Sequence, residues 1–295
     1  MRNNSHQSLS PIPPPQDIPD TAAASKLTEP SHNRAVKRVI EEMSDHLDES
    51  LSLKEMSHIA YISPYHFNRI FRDVTGIPPC QFLWALRLEA AKRLLLTTSI
   101  SVTDVCFEVG YNSLGTFTRR FSELTGLSPG RFRALPESGL MSALSLTQDE
   151  DAMAHTAGKQ VLGGTVSAPP DFNGLIFIGL FKTPIPQGEP LVGTVRQGPG
   201  RFHLAAIPDG HYYLLGAGLP LSTDPTQLFL NDKALRGGQY IHVRKEIRYS
   251  QIHLRLRPPG PFDPPILSAL PWLFLKQKAS LNIYDQKMGR ASVRV

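Results

Sequence analysis

From residue 33 to about 135, apolar positions recur at the three- and four-residue spacing of α-helices. Val36, Val39, Ile40 and Met43 share one face, which Leu47 continues. A second helix is predicted from Leu53 to Ala60, with Ser52 as N-cap and Glu55 three residues on, the capping-box pattern. After "YIS" comes Ser63 with Pro64 behind it, the signature of a helix start. This third helix should stop at Gly76, where a left-handed cap is expected, and Pro78 and Pro79 preclude its continuation. The stretch "QFLWALRLEAAKRLLLTT" (81–98) is a long run of strong helix formers. A further helix pair begins near Val102 or Thr103.

That last pair repeats the earlier one. "SPYHFNRIFRDVTG" (63–76) and "SLGTFTRRFSELTG" (113–126) overlay with Ser63/Ser113, Phe67/Phe117, Arg69/Arg119, Phe71/Phe121 and Thr75-Gly76/Thr125-Gly126 in common. The match runs on to Pro79/Pro129 and Phe82/Phe132, and slips by one residue in the turn within each pair.

Past Leu135 the helical period fades. Residues 136–160 read as a linker. From Val161 onward, Gly and Pro punctuate short runs of strand composition: "VLGGTVSA", "GLIFIGLF", "RFHLAAI", "HYYLLGAG", "TQLFLN", "QYIHV" and "SQIHLRLR". The last alternates, with Ile252, Leu254 and Leu256 on one face and His253, Arg255 and Arg257 on the other, as a half-buried strand does. Residues 1–32, rich in Ser, Pro, Gln and Asn, cannot bury enough surface to offset ordering entropy and read as a disordered tail. The predicted fold class is multidomain α plus β. An all-α unit with two helix-turn-helix motifs (33–135) is followed by an antiparallel β-sandwich (161–295).

Composition changes this picture little. The 295 residues suffice for two cored domains, and a formal charge of +5 permits a polyanionic partner. Cys80 and Cys106 cannot build a disulfide framework and read as reduced core residues. No secretory pattern is visible at the N-terminus, and "GLIFIGLF" is too short to cross a bilayer, so a cytoplasmic location is expected. Charge is distributed unevenly. Between 33 and 135 there are 13 Lys/Arg against 11 Asp/Glu, whereas 113–133 holds four Arg and one Glu.

The doubled helix invites a nucleic-acid reading. Phe67 and Phe71, like Phe117 and Phe121, lie four apart and share an inward face, leaving Tyr65, Asn68, Arg69 and Arg72 on other faces. In the second copy those are Thr118, Arg119 and Ser122. Arg reaches guanine with a bidentate fork and Asn does the same to adenine. A helix of 16–18 residues between the copies is a strut of about 25 Å, which with its turns could hold two reading helices about one DNA turn, roughly 34 Å, apart. One chain then occupies two adjacent major-groove segments without dimerising.

Residues 34–135 resemble the DNA-binding domain of the AraC/XylS family of bacterial transcription regulators. "SPYHFNRIFRDVTGIPPCQFLWALRLEAAKRLL" (63–95) and "VGYNSLGTFTRRFSELTGLSPGRFR" (109–133) carry the likeness. It implies base contacts from Tyr65, Asn68 and Arg69 in the first copy and from Leu114, Gly115, Thr118 and Arg119 in the second. Leu114 and Gly115 depart from the polar residues often found there. Arg72, Thr116 and Arg120 are the phosphate candidates. The resemblance further implies double-stranded DNA and RNA polymerase as partners and the role of an activator.

"GRFHLAAIPDGHYYLLGAG" (200–218) resembles, through Pro208, Asp209, Gly210 and Tyr212-Tyr213, the strand-turn-strand of transthyretin-like or carboxypeptidase-regulatory-like sandwiches. Such a domain suits an effector, a small molecule or protein of unknown identity, without catalysis. His203, His211, His242 and His253 lack zinc-ligand spacing, so no metal or cofactor is expected. No phosphate loop or nucleophile elbow is present. A competing reading makes the sandwich the working part, recruiting a protein partner, with the helical unit as a DNA tether.

Overall fold

The computed structural model describes residues 29–138, 161–222, 224–244 and 249–276. Seven helices come first: α1 (Glu29–Asp45), α2 (Leu53–Ala60), α3 (Pro64–Thr75), α4 (Pro79–Thr97), α5 (Val102–Glu108), α6 (Leu114–Thr125) and α7 (Pro129–Arg133). Residues 139–160 of the expected linker (136–160) and residues 1–28 of the expected tail (1–32) lie outside the described residues, and α1 begins four residues before the predicted domain edge.

Local chemistry sets these boundaries. Ser52 and Glu55 form a reciprocal capping box, and Ser101 and Asp104 form the same device at α5, which the pattern at 102–103 had not signalled. Gly76 and Gly126 end α3 and α6 at φ of 80° and 88°, the left-handed conformation that favours glycine. Ser63 departs from expectation: it occupies the N-cap without a side-chain cap hydrogen bond, and Pro64 sets the entry instead. The slip between the two copies is located in the turns, where Tyr61 (φ 56°) stands in one and Gly110 (φ 77°) in the other.

The repeated residues form a repeated core. Phe67 meets Phe71 at 5.5 Å between ring centroids, and Phe71 meets Phe82 at 5.5 Å. In the second copy Phe117 meets Phe121 at 5.7 Å and Phe121 meets Phe132 at 5.4 Å. Edge-to-face packing of this kind adds to the burial of the rings. The buried Thr75 hydroxyl lies 2.8 Å from Phe71 O and 2.9 Å from Ile77 O. Thr125 does the same at Phe121 O (2.8 Å) and Leu127 O (3.0 Å), so the Thr-Gly pair satisfies the helix end twice.

Seven strands follow: β1 (Val161–Ser167), β2 (Gly174–Phe181), β3 (Val192–Gln197), β4 (Gly200–Ala205), β5 (Gly210–Pro220), β6 (Leu235–Val243) and β7 (Tyr249–Arg255). They form a three-stranded sheet ordered β4-β1-β7 and a four-stranded sheet ordered β3-β2-β5-β6. One buried cluster draws Leu162, Phe202, Leu204 and Leu254 from the first sheet and Ile176, Ile178, Leu214 and Ile241 from the second. The opposite face of the four-stranded sheet, with Phe177, Phe181, Tyr213 and Leu215, joins the core of the helical unit. Coverage of both faces explains why "GLIFIGLF" is apolar throughout and does not alternate.

Three expectations need correction. "TQLFLN" is no strand: it lies within 3-10 turns at Pro225–Leu228 and Asn231–Lys233. Asp224 caps the first turn by accepting the Thr226 N–H at 2.8 Å, and Pro225 sits at its start. β3 was missed because its residues are half-buried and its apolar positions few. The pairing is not wholly antiparallel, since β1 and β7 run parallel while the other pairs are antiparallel. The strands around Pro208-Asp209-Gly210 do form, yet β4 belongs to one sheet and β5 to the other, so no hairpin closes there.

A segment at 258–269 and a helix at 270–276 (α8) then run between the four-stranded sheet and the helical unit. Its entry is held by Asp263, which accepts from Arg257 at 2.6 and 2.8 Å and from the Gly260 N–H at 2.6 Å. Burial pushes the Asp263 carboxyl up, but these donors together hold it below its ordinary value. A depressed carboxylate contributes stability fully above its unfolded pKa of about 3.8 and loses it as pH falls through the lower folded value. Asp263→Asn should therefore cost about 1–3 kcal/mol at pH 7 and much less near pH 2, in urea titrations at both pH values.

Candidate nucleic-acid interface

α3 and α6 are built alike from the inside. Phe67, Ile70, Phe71 and Thr75 bury one face of α3, and Phe117, Phe121 and Thr125 bury that of α6. What remains outside α3 is Tyr65, 87% exposed, with His66, Asn68, Arg69 and Asp73. Outside α6 lie Leu114, Gly115, Thr116, Arg119 and Glu123, all exposed, while Thr118 and Arg120 are half-buried. The structure thus presents Tyr65, Asn68 and Arg69 together at the N-terminal half of one helix. It presents Leu114, Gly115, Thr116 and Arg119 along the other. N-terminal residues of a reading helix are those that meet base edges.

Among the matched positions, arginine stands apart. Phe67/Phe117, Phe71/Phe121, Thr75/Thr125, Pro79/Pro129 and Phe82/Phe132 are buried, Gly76/Gly126 cap helices, and Ser63/Ser113 precede them. Arg69 and Arg119 are exposed, and packing accounts for neither. Arg119 lies 3.4 Å from Glu123 on its own helix with both side chains well exposed, a contact worth little that a base edge can replace.

Two phosphate candidates have neighbours that the sequence did not reveal. The Arg120 guanidinium lies 3.6 Å from the centroid of the Trp84 ring, a cation–π contact between α6 and α4. Burial pushes the nearby Tyr111 phenol up, against the opposing charges of Arg120 and Arg87 and a hydrogen bond from Arg120. Arg87 on α4 donates to Gly110 O at 3.0 Å and to Glu49 O at 2.6 Å, pinning the turn that precedes α6. Burial pushes its guanidinium down. Arg72 is half-buried near the end of α3, within electrostatic reach of Tyr213 of the β unit. Burial and the neighbouring Tyr240 push the Tyr213 phenol there up, and the charge of Arg72 opposes them. Thr116, exposed, donates its N–H to Ser113 Oγ at 3.4 Å.

The β-unit histidines are spread out. His211 and His242 stack at 4.0 Å across β5 and β6, and His211 hydrogen-bonds Tyr240. His253 lies 2.9 Å from Thr165 Oγ1 and 3.1 Å from Ser167 Oγ. Among the described residues, no three His, Cys, Asp or Glu side chains converge in a way that could hold a metal ion. No described helix is long and apolar enough to cross a membrane.

With this geometry in hand, residues 56–135 match the family described as a helix-turn-helix domain. The "Bifunctional transcriptional activator/DNA repair enzyme AdaA" of Bacillus subtilis (strain 168) is 31% identical over 100 residues, which cover 34% of this chain and 47% of that protein. The "Uncharacterized HTH-type transcriptional regulator YbfP" of the same organism is 26% identical over 174 residues, 58% of this chain and 55% of that one. Among solved structures, "the DNA-binding domain of AdpA, the global transcriptional factor, in complex with a target DNA" is 33% identical. That likeness covers 34% of this chain and 90% of the other, with a TM-score of 0.33. The chain spans about half the length of these two curated relatives. Residues 56–135 are accordingly a helix-turn-helix domain.

Proposed function

We propose that this chain is a sequence-specific, DNA-binding transcription regulator whose α3 and α6 each enter a major-groove segment, one DNA turn apart. The observation that carries the reading is the recurrence of one exposed arginine, Arg69 and Arg119, among repeated positions otherwise given over to packing and capping. The 19 residues of α4 supply a strut of about 28 Å between the copies. Tyr65, Asn68 and Arg69 read one half-site; Thr118 and Arg119, with Leu114 against a thymine methyl and the Gly115 backbone beside it, read the other. Thr116 and Arg120 contact phosphates, with Arg120 oriented by Trp84. The β unit, as a sandwich of its two sheets, receives an effector or protein. Activation through RNA polymerase is the sign of regulation we assign, in keeping with the activator named among the relatives.

Selection of bound fragments from random DNA by the full chain tests this. It should return a two-part site with centres about 10–10.5 base pairs apart; enrichment of a single short element, or of none, would refute it. Arg72 serves a phosphate in this scheme. Arg72→Ala should weaken specific and random DNA alike and lower the slope of log affinity against log salt by about 0.9. An unchanged slope in a salt titration would remove it from the interface.

A further inference from the structure

The two reading helices end alike, but only at α6 does the β unit pack on the capping glycine and hydrogen-bond the terminal carbonyls. At Gly76, which closes α3, a Cβ would meet nothing within 4 Å. At Gly126, which closes α6 in the same left-handed conformation, a Cβ would lie 2.5 Å from Leu273 Cδ2 of α8. The carbonyls at the end of α6 are satisfied from the β unit. Ala269 donates its N–H to Thr125 O at 2.9 Å, and Gly188 donates its N–H to Leu124 O at 2.6 Å. The two donors are tied to each other, because Ser268 Oγ donates to Gly188 O at 2.8 Å and Pro186 O accepts the N–H groups of Leu267 and Ser268. Phe132, the aromatic that locks α6 from below, meets Phe229 of the β unit at 6.2 Å. On its other side α8 rests on the four-stranded sheet, with Phe274 against Phe177 at 6.3 Å and Leu270 buried.

We infer that Leu273, Ala269 and Gly188 are positioning residues for the second half-site: through them the β unit sets the placement of α6, and hence the sequence preference of that half-site alone. The inference rests on the DNA-reading proposal above. A helix whose last carbonyls are hydrogen-bonded from another domain moves with that domain, whereas the end of α3 is open at Gly76. A displacement of α8 relative to the sheet is thereby felt at Arg119 and not at Arg69. Reading geometry is sensitive at this scale, since bidentate base contacts depend on the fixed fork of the guanidinium.

The test compares full-length variants on three duplexes: the selected site, and the same site with either half scrambled. Leu273→Ala should reduce discrimination against the scrambled second half at least five-fold while leaving discrimination at the first half within two-fold. Gly126→Ala and Gly76→Ala carry the same backbone strain, so their difference isolates the clash with Leu273. Gly126→Ala should perturb the second half-site more than Gly76→Ala perturbs the first, and adding Leu273→Ala should restore much of the loss. Circular dichroism melts establish that each variant is folded at the assay temperature. Equal losses at both half-sites, or none at either in a folded Leu273→Ala chain, would overturn the inference while leaving the two-helix reading intact. Failure of the unsubstituted chain to bind any two-part site would remove both.

Discussion

Replacing Arg69 or Arg119 with alanine should cost about 1–3 kcal/mol of specific binding, roughly 5- to 140-fold in affinity, and relax preference at one base position. Each side chain projects from a helix whose opposite face is fixed by packed phenylalanines, so truncation removes the fork without disturbing the scaffold. Arg69 makes no ion pair among the described residues, and Arg119 gives up a solvent-exposed contact to Glu123. Thermal stability should consequently change by no more than a few tenths of a kcal/mol. Binding-site selection with each variant reads the outcome. A variant that loses equally on specific and random DNA reports a phosphate contact and refutes the role assigned.

The largest effect on stability is expected at Lys92. This residue of α4 is 1% exposed, with Nζ 2.8 Å from Glu89 Oε2 and 2.9 Å from Ile266 O of the segment leading into α8. A lysine ammonium taken from water is tolerated only where it is paired and hydrogen-bonded. Removing it leaves a carboxylate and a carbonyl facing an apolar side chain at the junction of the two units. Lys92→Met should destabilise the chain by about 3 kcal/mol in urea unfolding. The double substitution Lys92→Met with Glu89→Met should recover most of that, because no charge is then stranded. A neutral Lys92→Met would mean that water reaches the pair. The neighbouring contact of Arg93 with Asp232, exposed on both sides, should contribute far less.

Much of the helical unit was legible because its signals are local. Capping residues, Pro after a turn, Gly at a left-handed end and Phe at four-residue spacing act within one helical turn, and α2, α3 and α6 fall where those signals lie. The β unit was legible in its strands and not in its pairing. β4 and β5 are joined by a turn that looks like a hairpin, but whether they pair depends on which sheet each enters, which Pro208 and Gly210 do not encode. β7 is parallel to β1 although 81 residues lie between Ser167 and Tyr249, and nothing near either strand announces it. "TQLFLN" misled because its apolar residues are buried against another unit: Phe229 reaches Phe132, a contact that strand composition imitates.

The candidate site divides in the same way. Its outward residues follow once the phenylalanines fix the inner face, so Tyr65, Asn68, Arg69 and Arg119 were readable in advance. Trp84 beneath Arg120, the nearness of Arg72 to Tyr213, and the cover over Gly126 were not, since each joins elements distant in sequence. Lys92 stands in a run of helix formers, and nothing beside it signals the bond to Ile266, 174 residues away.

Methylation interference at guanine N7 on the selected duplex tests the central claim most directly, because that atom lies in the major groove. One chain per duplex should give two clusters of interference on the same face, separated by about 10–10.5 base pairs, the first lost in Arg69→Ala and the second in Arg119→Ala. A single cluster, or two clusters that appear only at a stoichiometry of two chains, would contradict the account.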